Sequence, residues 1–329
     1  MSSPSMSQKA SLSSPILGSY EAYGCRVNAI DPADLFQRYR QANFLYEDKL
    51  RHLAPFMPEI LDNWRRGMDA GNLIHHIVTY QNHHGAWASL TSWRSTHTGW
   101  HAGHLVSLGG PAASRAVLLA AQAERMRDLQ DRAAQNWFQP SNRYANHVFG
   151  SVVESIGPEH AWVGRFNYLW LSLEKRPPGN DQVAIVPCPP SKGSDLFELA
   201  VKTRGRVYAI AEELDHEDLL LDAVDALYAS VGLRRYRRVW LAMLKGHDAV
   251  VGAAIAYRGP LGFNFSLLES RCDLLIDPTL NNAHANAVTQ ALVETAATVY
   301  KDFPPRVIPL VTDDPTSSNV VSMGGRLIR

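Results

Sequence analysis

The sequence predicts an α/β (α+β) chain of two tandem units, and three observations carry that prediction. Short β-type runs alternate with stretches of helical periodicity from Tyr23 onward. One order of elements (strand, helix, helix, hairpin, strand, helix, strand, turn) is met twice: Pro111 is echoed by Pro278, Val117 by Val288, and Pro140-Ser141-Asn142 by Pro315 to Asn319. Between the two runs lies Lys175 to Asp181, KRPPGND, charged and rich in Pro and Gly, which reads as a linker. The expected boundaries are a disordered tail over 1–18, a first unit over 19–175, a linker over 176–182 and a second unit over 183–329.

In the first unit, Tyr23 to Ile30 reads as a strand and Asp31-Pro32 as a helix start, with Leu35, Tyr39 and Phe44 apolar. Leu50 to Met68 is a second helical region. Asn72 to Tyr80 alternates and is rich in β-formers, and a turn over residues 81–85 returns it as the strand Ala86 to Trp93. The strand from Trp100 ends at Gly109-Gly110-Pro111, after which Val117, Leu118 and Ala121 fall at helical spacing. Asn136 to Gln139 is the next strand. Asn142 is an N-cap for a helix over 143–156, and Trp162 to Leu173 is a long aromatic strand region.

In the second unit, Gln182 to Val186 is a strand, and Ser194 to Thr203 and His216 to Val231 are helices. Val239 to Leu244 and Ala249 to Tyr257 form a hairpin around Gly246-His247-Asp248. Arg271 to Ile276 is a strand, Ala287 to Val299 a helix and Arg306 to Val311 a strand.

Composition narrows the function. At 329 residues and 46% hydrophobic the chain can fill two cores, and with 32 basic against 32 acidic residues it lacks the basic excess of a nucleic-acid binder. Three cysteines spaced far apart argue against a disulfide framework and for a reducing, cytoplasmic setting. No run reaches the roughly 18 apolar residues of a membrane span. The Ser-rich opening has no apolar centre, so it does not read as a signal peptide.

The βααβββαβ order, with its strand–turn–helix after the hairpin, resembles the GNAT superfamily of acyl-CoA N-acyltransferases over about residues 23–173 and again over 183–329. The resemblance implies a mixed, mostly antiparallel sheet flanked by helices in each unit, splayed between its fourth and fifth strands. Acetyl-CoA or another acyl-CoA would lie in the splay as co-substrate, its pyrophosphate on the turn that opens the third helix. The acceptor would be an amine, on a small molecule or a peptide. Carried onto this chain, the ligand-contacting set is Val106, Leu108, Gly109, Gly110, Ser114, Arg115 and Asn142. Residues 324–328 resemble the family's Gly-Phe-Arg run before the last strand. The chain also departs from the pattern. The family's glycine signature is reduced to Gly109-Gly110, and residues 277–282 contain no glycine. Val152 or Val153 stands near the place of the family's proton-donating Tyr. The second unit reads as C-terminally shortened, with no room for the corresponding helix before Gly324.

Acyl transfer needs a base near the amine, an oxyanion donor and a proton for the thiolate. His104, two residues before Val106 on the strand entering the turn, is the first candidate base, with His101 beside it. Glu269, before the matching strand of the second unit, is the parallel candidate. The Val106 region would supply the backbone donor. Against these stand a packed strand histidine and an exposed loop carboxylate. Most of the thirteen histidines fall in the first unit. Neighbours such as His75-His76 point to opposite strand faces, and no tight ligand motif occurs, so no metal ligands are assigned. The run Arg234-Arg235-Tyr236-Arg237-Arg238 is a solvated loop or an anion contact for a CoA 3′-phosphate or a nucleotide. Trp87, Trp93 and Trp100 are core or an acyl-pocket lining. The reading is an acyl-CoA-dependent N-acyltransferase. A non-catalytic ligand-binding or regulatory protein of the same fold and a histidine-centred metal hydrolase are the alternatives.

Overall fold

The computed structural model describes residues 23–125, 132–175 and 182–328. The expected tail and nearly all of the expected linker lie outside them. The first half contains β1 (Cys25–Val27), α1 (Pro32–Gln41), α2 (Glu47–Leu53), α3 (Met57–Asp69), β2 (His75–Gln81), β3 (Trp87–Arg94), β4 (Gly99–Leu108), α4 (Pro111–Arg125), β5 (Ala133–Asn136), α5 (Arg143–Ile156) and β6 (Asn167–Ser172). The second half contains β7 (Val183–Pro187), α6 (Gly193–Arg204), α7 (Arg206–Ala211), α8 (Asp222–Ala229), β8 (Tyr236–Leu244), β9 (Val250–Arg258), β10 (Cys272–Ile276), α9 (Asn282–Ala296), β11 (Val307–Thr312), α10 (Asp314–Ser322) and β12 (Arg326–Leu327).

Local chemistry sets the boundaries. Asp31 caps α1 by accepting from the Ala33 amide at 2.8 Å, with Pro32 at the first helical position. In the β2–β3 hairpin, Asn82 Oδ1 accepts from the amides of His84 and Ala86, and Gly85 supplies a positive φ of 82°.

The first sheet has the order β1-β2-β3-β4-β5. Its first four strands are antiparallel neighbours, and β5 runs parallel to β4. One face meets α4 through Val78, Leu90, Ala113 and Val117. The other face presents Ile77, Trp93 and Val106 to Phe36 and Trp64 and to Phe263 and Phe265 of the second half, so one apolar core runs through both halves.

The second sheet repeats the arrangement. β7, β8, β9 and β10 are antiparallel neighbours, and β11 runs parallel to β10. Each sheet opens at the equivalent place: β4 and β5 pair from Gly99 to Ala102, and β10 and β11 pair only at Cys272 and Asp273, after which the strands diverge. Two mixed sheets flanked by helices thus form the tandem GNAT-like fold that the resemblance implied.

Several elements differ from expectation. β6 does not join the first sheet. It lies between β11 and β12, antiparallel to both, giving the order β12-β6-β11-β10-β9-β8-β7. The second half does have a helix before Gly324. Asp313 caps α10 by accepting from the Thr316 amide at 3.0 Å, and the helix buries its own Thr316 and Val320. Its Thr-Ser-Ser-Asn stretch has weak helix propensity, so tertiary packing and the cap decide the outcome. The expected helix His216 to Val231 is confined to α8, preceded by the short α7, and the aromatic run from Trp162 becomes a strand only at Asn167.

Candidate functional site

In the first half, β4 carries a bulge. Ser89 pairs with Val106 but Thr91 pairs with Gly103, so His104 and Leu105 together oppose Leu90. His104 takes the left-handed conformation, φ 51°. The bulge restores one face to residues of mixed parity, so His101, His104 and Val106 all border the aromatic core. Beyond it, Gly109 (φ 91°) and Gly110 (φ 115°) turn the chain into α4. A Cβ on Gly109 would stand 2.9 Å from Ala86 Cα, so this glycine is required by packing, whereas a Cβ on Gly110 meets nothing within 4 Å. Side chains cap α1, α5, α9 and α10. Among the described residues none caps α4, whose first-turn amides stand at the end of the diverging strand with exposed Arg115 beside them. Ser114 is buried. Asn142 accepts from the Ala145 amide at 3.1 Å as the α5 cap, which occupies its side-chain oxygen.

The equivalent place in the second half is filled by the chain itself. Arg204, at the end of α6 and 95% buried, donates through Nη2 to Leu274 O (3.3 Å) on β10 and to Val311 O (3.0 Å) on β11, at the point where the strands part. Phe166 stacks on its guanidinium at 4.1 Å. The turn before α9 is closed by Asp277, which holds Lys202 Nζ at 2.7 and 2.8 Å and the Thr279 amide at 2.8 Å, while Asn281 caps α9.

Neither candidate base is free. His104 is enclosed by Trp64, Trp93, Phe44 and Phe265, the last stacked at 4.3 Å, and its Nδ1 faces Thr91 Oγ1 at 3.1 Å. Burial, reinforced by the nearby Lys49 charge, pushes its pKa well below the ordinary 6.5. It is a packed neutral histidine. Glu269 corrects the expectation of an exposed loop carboxylate. It is 2% exposed, with one oxygen on His101 Nδ1 and the other on Arg235 Nη1. Burial alone would raise its pKa, but the charges of His101 and Arg235 outweigh that and hold it well below the carboxylate range. His101 Nε2 faces Gln135 Oε1 at 3.2 Å, and Gln135 donates to Ala211 O. This chain of bonds joins the halves.

A second clamp lies beside it. His97 on the β3–β4 turn bonds Glu213 through Nδ1 (2.6 Å) and Asp218 through Nε2 (2.9 Å), with His216 stacked on its ring at 4.0 Å. The arginine run is neither solvated nor an anion contact at its inner positions. Arg235 and Arg237 are fully buried, and Arg237 donates to the carbonyls of Leu219, Glu212 and Glu213. The outer Arg234 pairs with Asp225. Their period-two spacing with Val239 and Leu241 is the sequence signal that places both on the buried face. Nothing local marks His97 or Glu213. Trp87, Trp93 and Trp100 are buried core residues. Among the described residues no cluster of three His, Cys, Asp or Glu is arranged to hold a metal ion.

Several solved structures are similar to this chain, three of which follow. A Drosophila protein from a structural genomics programme matches at 11% identity over 93% of this chain and 95% of its own, with a TM-score of 0.45. A tandem GNAT protein from the clavulanic acid biosynthesis pathway matches at 13% over 82% and 84%, TM-score 0.37. A GCN5-related N-acetyltransferase from Sphaerobacter thermophilus matches at 12% over 78% of each chain, TM-score 0.39. No family model and no curated protein matches the sequence. At these TM-scores the tandem fold rests on the strand order and the two splays, not on the superpositions.

Proposed function

We propose that the chain is an acyl-CoA-dependent N-acyltransferase whose first half holds the acyl-CoA and whose second half is a scaffold. One contrast carries this reading: the uncapped first turn of α4 follows a diverging strand and two glycines, while its counterpart is closed by Arg204, Asp277, Lys202 and Asn281. Backbone donors of α4 and the Arg115 charge would bind pyrophosphate, and the β4 backbone near Val106 and Leu108 would hold the pantetheine and polarise the thioester. Neither His104, packed among aromatic rings, nor Glu269, paired through both oxygens, is placed to take the amine's proton.

That last observation favours a second reading, in which the first half binds acyl-CoA without turnover and serves regulation. Calorimetric titration with acetyl-CoA and longer acyl-CoAs, followed by an acylation assay over an amine panel, tests both. One molecule bound per chain, lost in Gly110→Asp, is expected. No binding to the parent protein refutes both readings, and binding without turnover leaves the second.

A further inference from the structure

At the edge of the first sheet, β1, the end of β2, the start of β3 and one face of α1 line an open groove of about 690 Å³, within the range of small-molecule sites. It is separate from the α4 turn. Trp87 on its wall pairs with Leu108, so the two places share one end of the sheet, but β2 and β3 stand between β1 and β4.

Two guanidiniums reach this groove, Arg26 from β1 and Arg38 from α1, and among the described residues neither has an ion-pair partner. Asp34 lies one helical turn before Arg38, the spacing of a favourable pair, yet the two do not meet. Arg38 instead lies over the Trp87 ring at 5.2 Å and touches Gln81 Oε1 at 3.5 Å. Two like charges directed at one space, with a carboxylate in reach and unused, leave that space attractive to an anion. The remaining polar lining is Gln37, Gln41, Gln81, Asp34 and Thr79, whose hydroxyl donates to Arg26 O at 3.4 Å. Each amide offers both a donor and an acceptor, and the carboxylate accepts, which is the complement of a row of hydroxyl groups.

We propose that this groove binds a small phosphorylated polyol of the sugar-phosphate class, its phosphate between Arg26 and Arg38 and its hydroxyls along the polar face of α1. The site stands whether or not the α4 turn takes acyl-CoA.

The test is calorimetric titration of the full chain at low salt with glucose 6-phosphate, ribose 5-phosphate, glycerol 3-phosphate, glucose and inorganic phosphate. At least one phosphorylated polyol should bind at least tenfold more tightly than glucose or inorganic phosphate. The double variant Arg26→Gln/Arg38→Gln should lose tenfold or more. Asp34→Asn should lower the preference for the phosphorylated polyol over inorganic phosphate several-fold. Gly110→Asp should leave this binding unchanged, which separates the site from the acyl-CoA reading. Among the described residues the altered arginines and Asp34 have no ion-pair partners to lose, and circular dichroism checks that the variants fold. No binding of any phosphorylated polyol, or equal binding by the double variant, overturns the site. Equal affinity for inorganic phosphate overturns hydroxyl recognition, and equal affinity for glucose overturns the role of the arginines.

Discussion

Replacing Glu269 with alanine tests whether the carboxylate is a base or a bolt between the halves. The side chain is buried with one oxygen on His101 and the other on Arg235, both also buried. Removing it leaves two proton-donating groups facing each other in a dry interface. Breaking a buried pair by deleting one partner costs about 3–5 kcal/mol, a large fraction of the 5–15 kcal/mol that typically holds a domain folded. Denaturant unfolding should therefore show a midpoint far below that of the parent. Glu269→Gln keeps the shape but turns an NH₂ toward one of two donors, so it should lose more than about 1 kcal/mol. A catalytic base predicts the opposite pattern, with turnover lost in Glu269→Gln and the unfolding midpoint unmoved. A Glu269→Ala protein within about 1 kcal/mol of the parent would refute the reasoning.

Four further outcomes are expected. His104→Ala should destabilise by about 2–4 kcal/mol through the cavity it leaves among aromatic rings, with no selective loss of turnover once melting temperature and rate are measured on the same sample. His97 has its pKa raised from 6.5 by its hydrogen bond to Glu213, against burial, with Asp218 adding to the rise; its contribution is full below 6.5 and is lost as pH climbs through the raised value. Burial would raise both carboxylates, but bonds from His97 and Thr98 hold Glu213 below its ordinary 4.5, and bonds from the Ala223 amide, His97 and the Asp222 amide hold Asp218 below its ordinary 3.8, so their contribution is present above those values and fades in acid. The stability gap between the parent and His97→Gln, followed by urea titration across pH, should therefore be widest between about 4.5 and 6.5 and narrow as pH climbs through the raised His97 value; a gap independent of pH would count against the clamp. Arg204→Ala should cost about 1–3 kcal/mol by leaving carbonyls of β10 and β11 without their donor, and acyl-CoA should bind the parent at one equivalent per chain, not two, by calorimetry.

The parts of the fold that the sequence displays are those with local causes. The Asn82–Gly85 turn, the break at Gly109-Gly110 and the buried stripe of α9 each follow from a few neighbouring residues. The partner sheet of β6 does not: Asn-Tyr-Leu-Trp-Leu-Ser suits either sheet, and its pairing with Val307–Thr312 joins residues far apart in the chain. The candidate site divides the same way. The glycine turn and its helix are visible, whereas Glu269, Arg235 and Arg237 read as solvent-facing because charged side chains usually are. Their burial is tolerated only because partners from elsewhere in the fold complete them, and a linear reading does not see those partners.

The lending of β6 bears on how this protein can be made and dissected. The first sheet is complete without it, yet the strand must wait through synthesis of most of the second half before β11 exists to receive it. Such distant pairing is slow, and the aromatic strand meanwhile stays open to the wrong neighbour. A cut in the stretch between β6 and β7 would not release two independent domains. The C-terminal piece would bare the edge of β11 and strand β12 without a neighbour, and the N-terminal piece would carry a sticky, unpaired ribbon. Co-expressed, the two pieces should reassemble by strand complementation, as a pair of fragments and not as a pair of modules.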